Sequence, residues 1–177
     1  MSTNSPMAAF LAKHTRNLLN TTARSIEDLD LEELHFRAHA EMNSIAFEAW
    51  HIARTADNLV HFAFERAQPV WLQQGLNEAW NLPKADQGTG MNSATAFGLR
   101  FPEAKLLAQY ARDVAEAVGP RIEAMSDEYL ATVTTLRPLG EMPRTDAIAQ
   151  IIIIHGNNHI GQMNLARTMQ GKPGLGF

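Results

Sequence analysis

Two histidines, His155 and His159, follow directly on the most apolar run of the chain, Ile151-Ile-Ile-Ile154. On a helix, positions i and i+4 share one face about 6 Å apart, close enough for two imidazoles to hold one ion. On a strand the same spacing separates them by roughly 13 Å, too far for a shared centre. Imidazoles projecting into a core need a partner, because an unpaired buried polar group costs about 1–3 kcal/mol. A divalent cation is one such partner. Hydrogen bonds to neighbours or water are the other solution, and they make the pair ordinary core histidines.

Five further histidines decide whether a third ligand exists. His51 shares a helical face with Phe47, Thr55, Asn58 and Phe62, beside a core stripe, and is the best placed. His14 sits on the apolar stripe of the first helix, either as a satisfied core histidine or lining the same cavity. His61 points about 80° away from His51 at 100° per residue and is set aside. His35 and His39 repeat the i, i+4 spacing in a charged stretch without an apolar stripe, which reads as a solvated surface pair.

The elements that must position these residues are helical. Ser5-Pro6 reads as an N-cap with proline in the first turn, and Met7, Leu11, His14 and Leu18 carry a first helix to about Thr22. Ser25 to Ala40 reads as a connection with at most short helical turns. Asn43-Ser44 caps a second helix with the stripe Ile45, Ala49, Ile52, Ala56, Leu59 and Ala63, ending near Ala67 before Pro69. From Gln68 to Arg100 periodicity fails among prolines and glycines, with Trp71 and Trp80 between them; such a stretch is either a binding loop or a surface insertion. Pro102 opens a third helix with Leu107, Tyr110, Val114, Val118, Ile122 and Met125 on one face. Gly119-Pro120 is predicted to kink or split it, since an interior proline costs roughly 3 kcal/mol. Thr145 is predicted to cap a fourth helix that Gly171 and Pro173 close. Its stripe is Ile148, Ile152, His155, His159, Gln162 and Ala166. Isoleucine alone permits a strand, but cap, length and periodicity together require a helix. With no convincing strand, the chain reads as all-α: an up-and-down type four-helix bundle with a long loop between helices two and three, a single domain over residues 1–177.

Composition narrows the function. A formal net charge of −4 leaves no basic footprint for nucleic acid. Cysteine is absent, so the chain has no thiolate ligand and no nucleophilic thiol of its own. The N-terminal Met-Ser-Thr-Asn-Ser-Pro-Met lacks the charged-then-apolar layout of a signal peptide, and no apolar run approaches the roughly 20 residues that span a bilayer. A soluble, cytoplasmic protein with no membrane partner is expected.

Trp50-His51-Ile-Ala-Arg54-Thr-Ala-Asp57, with His155-Gly-Asn-Asn-His159-Ile-Gly161-Gln162, resembles the DinB-like superfamily, as does the closing Gly171-Lys-Pro-Gly174. The resemblance runs from the first helix to Gly174 and is weakest between Gln68 and Arg100. It implies a four-helix bundle, usually a homodimer, that binds a metal through one histidine of helix two and an H-x-x-x-H pair of helix four. Those positions are His51, His155 and His159. Several members transfer thiols or isomerise substrates with a low-molecular-weight thiol as cosubstrate. Three imidazoles suit zinc, nickel or ferrous iron and leave positions open for water or substrate.

Helical offsets add second candidates. Gln162 shares the face of the pair, is placed to orient a bound water or substrate, and is the candidate catalytic residue. Glu48, three residues before His51, is placed to accept a ring N–H and fix its tautomer. Asn58 is a candidate substrate contact. Gly156 and Gly161 cost roughly 1 kcal/mol each against alanine and would let a helix or a substrate approach closely, or simply pack tightly. A di-iron carboxylate site is excluded, because the fourth helix carries no glutamate beside its histidines. The expected function is a metal-dependent enzyme that activates a thiol or water, acting on a small molecule held under the Gln68–Arg100 loop with Trp71 and Trp80 as apolar contacts. The competing readings are a hydrolase, a non-catalytic metal-binding or interaction bundle, and a plain helical domain.

Overall fold

Ser5 is the first residue that the computed structural model describes; the described chain runs over residues 5–175, so the reading of Met1–Asn4 lies outside it. The Ser5 hydroxyl accepts from the Ala8 N–H at 3.0 Å and starts α1 (Pro6–Arg24). Leu11, Leu18 and Leu19 are buried along this helix, whereas Met7, at the head of the predicted stripe, is exposed. His14 is half-buried against the Phe10 ring.

The connection that follows holds one helical turn, α2 (Leu31–Leu34), closed by a capping box of Asp30 and Glu33. Here the surface reading of His35 is corrected. Its Nδ1–H donates to the Leu31 carbonyl at 2.8 Å and its Nε2 accepts from the Phe101 N–H at 3.0 Å. Both nitrogens are satisfied by the fold, and only His39 is solvated.

Ser44 caps α3 (Ile45–Asp57) by accepting from the Phe47 N–H. All 13 residues of α3 are buried. It lies among α1, a third long helix α7 (Ala104–Glu123) and the fourth helical segment, so every face of it is covered. It continues as a π-helical segment, π1 (Asn58–Phe64), and the chain reverses at Arg66, whose φ is +56°.

The Gln68–Arg100 stretch is not an aperiodic loop. It contains α4 (Val70–Gln73), α5 (Leu76–Ala79) and α6 (Ser93–Gly98), each too short to show a periodic pattern. Trp71 is fully buried, packs against Trp50, Trp80 and Tyr110, and donates its indole N–H to the Pro83 carbonyl.

Glu103 precedes α7, which starts two residues later than Pro102 suggests and runs through Pro120 as one element. Pro120 lies in the last turns, where one main-chain bond is lost and the packing of Val118 and Ile122 on the core outweighs it. After α8 (Asp127–Ala131) comes a departure from the all-helical expectation. β1 (Val133–Leu136) pairs antiparallel with β2 (Gly140–Pro143) in a hairpin, with Val133 opposite Pro143 and Leu136 opposite Gly140. Val-Thr-Thr-Leu has strand propensity, but four residues are too few to stand out beside the long helical patterns.

The fourth segment is continuous through α9 (Arg144–Ala147), π2 (Ile148–Ile154) and α10 (His155–Met169). Thr145 does not cap it; its hydroxyl bonds back to the Leu130 carbonyl at 3.0 Å. The buried line is Ile148, Ile152, Gly156, Ile160, Met163 and Ala166, with His155 and His159 half-buried beside it and Gln162 exposed. A π-helix closes i→i+5 bonds and so takes more residues per turn. A regular 3.6-residue stripe extended across π2 therefore arrives at Gln162 on the wrong side. The described chain is predominantly helical, and none of its helices is long and apolar enough to cross a membrane.

Candidate metal centre

Three histidines converge where α3 faces the start of α10. His51 Nε2 lies 3.3 Å from His155 Nε2, which lies 2.9 Å from His159 Nε2. One ligand atom from each sits within 4.8 Å of the other two.

The opposite ring nitrogens decide what these atoms can do. Nδ1 of His51 faces the Gln87 carbonyl at 2.5 Å, and Nδ1 of His155 faces the Ile151 carbonyl at 3.2 Å. Nδ1 of His159 faces the Gln162 amide oxygen at 3.0 Å and also meets the Glu48 carboxylate. Carbonyl and carboxylate oxygens only accept, so each Nδ1 carries the proton and each neutral ring presents a lone pair at Nε2. Three converging lone pairs repel unless a cation lies among them. Nitrogens each about 2.0–2.1 Å from one zinc ion stand about 2.8–3.4 Å apart at octahedral to tetrahedral angles, which brackets both Nε2 separations. These residues therefore fit a divalent metal.

The electrostatics agree. Burial pulls His51 down to about 4, below the ordinary 6.5, so its ring stays neutral. Burial, then the neighbouring charge of His159, lowers His155. Burial also pulls on His159, but Glu48 outweighs it and the net shift is upward. A carboxylate behind a histidine both orients the ring and raises its basicity as a ligand.

The surroundings differ from the predicted ones. Glu48 reaches His159 rather than His51, and its other oxygen accepts from Asn43 Nδ2 at 3.0 Å. Gln162 lies behind His159, on its Nδ1 side, not on the side where the three Nε2 atoms meet. Asn58 lines a cavity of about 720 Å³ that begins at His155. Its walls are π1, π2, residues 85–89 and the hairpin tip, with Leu59, Phe62, Leu139 and Met142 among the apolar groups. Trp71 and Trp80 do not line it; they belong to the core cluster around Tyr110. The hairpin takes the place expected for them.

His14 and His61 stand apart from the three. His61 is buried and donates to Asp57 at 2.8 Å. Asp57, the last residue of the helix-two motif, is a fully buried hub. It also accepts from the Val70 and Trp71 N–H groups and the Tyr110 hydroxyl, each at 2.9 Å. Gln87 was missed as well, since it acts through its main-chain carbonyl. The one signal near it is Gly88, whose φ is +93° and whose added Cβ would lie 2.6 Å from the Phe47 ring. Only glycine lets the loop come that close to α3.

A family model described as the DinB superfamily matches residues 13–163. A conserved protein from Enterococcus faecalis, known from its crystal structure, shares the fold with a TM-score of 0.79 at 19% sequence identity, covering 92% of this chain and 96% of its own. No curated protein matches the chain at a significant level. With the family model spanning most of the sequence, from α1 through the histidine pair of α10, the chain belongs to the DinB superfamily.

Proposed function

We propose that this protein binds one divalent metal through His51, His155 and His159 and is an enzyme that activates a small thiol or a water against a substrate in the adjoining cavity. The observation that carries the reading is the set of acceptors at all three Nδ1 atoms, which leaves three Nε2 lone pairs aimed at one point. Three protein ligands leave coordination positions free, as in catalytic rather than structural sites. A divalent cation held there lowers the pKa of a coordinated thiol or water so that the nucleophile is ionised at neutral pH. Zinc, nickel and ferrous iron all suit three imidazoles.

The chain's own residues do the rest. With no cysteine, any thiol must come from solution, as a low-molecular-weight cosubstrate. Leu59, Phe62, Leu139 and Met142 offer an apolar wall to an acceptor, while Thr55 and Gln150 offer polar contacts in the same cavity. Gln162 holds the His159 ring and so is a positioning residue. A cavity walled this way beside the three histidines favours an enzyme over a non-catalytic metal-binding bundle. We also infer an up-and-down four-helix arrangement of the long segments, a single domain and a cytoplasmic setting, with a homodimer as the family expectation.

Cobalt(II) substitution tests the proposal. Thiolate ligation adds an intense near-ultraviolet charge-transfer band, so titrating small thiols, sugar-linked ones included, should produce it. An unchanged cobalt spectrum means the thiol reading is abandoned and a metal-activated water, hence a hydrolase, takes its place.

A further inference from the structure

We propose that Arg54 and Asn58 are positioning residues for His51, acting through the loop at residues 86–88; this rests on the metal-binding reading above. His155 and His159 each find an Nδ1 acceptor on their own helical segment, Ile151 and Gln162. His51 alone takes its acceptor from a loop, the Gln87 carbonyl. Whatever fixes that loop fixes the tautomer and orientation of His51.

Arg54 and Asn58 follow His51 at i+3 and i+7, on the same face of α3 and π1. The Arg54 guanidinium, almost wholly buried, forks: one arm donates to Asn58 Oδ1 at 2.9 Å and the other to the Asp86 carbonyl at 3.3 Å. With its oxygen engaged, Asn58 turns its NH₂ to the Gln87 side-chain oxygen at 2.7 Å. The loop is thus held on both sides of the Gln87 carbonyl, once at the Asp86 main chain and once at the Gln87 amide. The Gly88 N–H closes the turn on Asp86 Oδ1 at 2.7 Å. Arg54 is itself set by Asp57, 4.0 Å away, and by the Trp71 ring beneath it. A line of part-buried polar contacts therefore runs from the core to one ring nitrogen of one ligand.

Three variants test this: Asn58→Ala and Gln87→Ala, which cut the side-chain tether, and Arg54→Lys, which keeps the charge near Asp57 but loses the planar fork. Ring-nitrogen NMR on the metal-free protein reads the tautomer of each histidine, and competition titration reads zinc affinity. The expected result is a mixed tautomer at His51 with His155 and His159 unchanged, and zinc affinity about tenfold lower or more, the usual cost of losing an outer-shell partner. A His51 ring still wholly in the Nδ1–H form with unchanged affinity overturns the proposal. So does a simultaneous change at all three rings, which marks general loosening. If the wild-type protein binds no zinc, the functional reading falls, and the tautomer measurement alone decides this one. Should Arg54→Lys fail to fold, Gln87→Ala, on the partly exposed loop, gives the same two readouts.

Discussion

The carboxylate of Glu48 in α3 meets Nδ1 of His159 in α10, so the two helices that carry the three histidines are joined by a hydrogen bond to a buried carboxylate as well as by packing. The contact keeps the proton on Nδ1 and directs the Nε2 lone pair inward. Glu48→Gln keeps the shape and removes the charge. It is expected to lower zinc affinity about ten- to a hundredfold, measured by competition with a chromophoric chelator. An unchanged affinity would assign Glu48 to packing alone.

Alanine at His51, His155 or His159 should each remove most of the bound metal, read by elemental analysis of the purified protein. His35→Ala and His61→Ala should retain it. His61→Ala is nevertheless expected to cost about 1–3 kcal/mol of stability in urea unfolding, because it strips a partner from the buried Asp57 carboxylate. Full metal retention in His51→Ala would sink the three-histidine site.

Protonation competes with metal for the same rings, so affinity is expected to fall as pH drops from 8 to 5. His159, raised by Glu48 despite its burial, is the first to take up a proton. An affinity flat over that range would argue for carboxylate ligands.

Metal-free protein should show a second pH dependence. His51 titrates near 4 in the folded state and near 6.5 unfolded, because burial opposes its charge. Between those values the unfolded chain binds more protons, so stability falls as pH falls through that window. The loss is at most about 3 kcal/mol, seen in urea titrations with chelator as the difference between wild type and His51→Gln. Equal pH dependence in the two proteins would show that His51 does not resist protonation.

The two glycines of α10 should respond oppositely to alanine. A Cβ at Gly156 would lie 2.5 Å from a Leu18 methyl of α1, so Gly156→Ala is expected to cost about 1–3 kcal/mol by overpacking. Nothing stands within 4 Å of a Cβ at Gly161, so Gly161→Ala should gain up to about 1 kcal/mol from helix propensity. Thermal unfolding distinguishes the two, and a loss at Gly161 would mean the open space is filled by a partner.

The residues that sequence alone picks out share one property: their information is local. Ser5, Pro6 and Ser44 start helices through contacts three or four residues away. The i, i+4 pair in the fourth helix needs only helical geometry to share a face. His51 could be ranked above His61 because helical rotation over ten residues points them apart, although that rotation is no longer regular once π1 begins at Asn58. The helical class, the histidine pair and the ranking of His51 followed from such short-range rules, whereas the three-histidine ligand set was what the resemblance to the DinB-like superfamily implied.

What escaped depends on distance or on an irregular helix. Extending a 3.6-residue stripe through π2 placed Gln162 inward, because the sequence does not announce where the helix widens. Glu48 was assigned to His51, its helical neighbour, and the fold pairs it with His159 from another helix. Gln87 meets His51 through a main-chain carbonyl, which every residue possesses, so that contact leaves no mark in the sequence. Trp71 and the hairpin exchanged expected roles, one drawn into the core by Trp50 and Tyr110, the other raised as a wall of the cavity. Sequence therefore singled out three side chains able to share one ion and the helices they ride on. The tertiary structure decided which atom of each ring faces inward, because that choice belongs to hydrogen-bond partners brought together only when the chain folds.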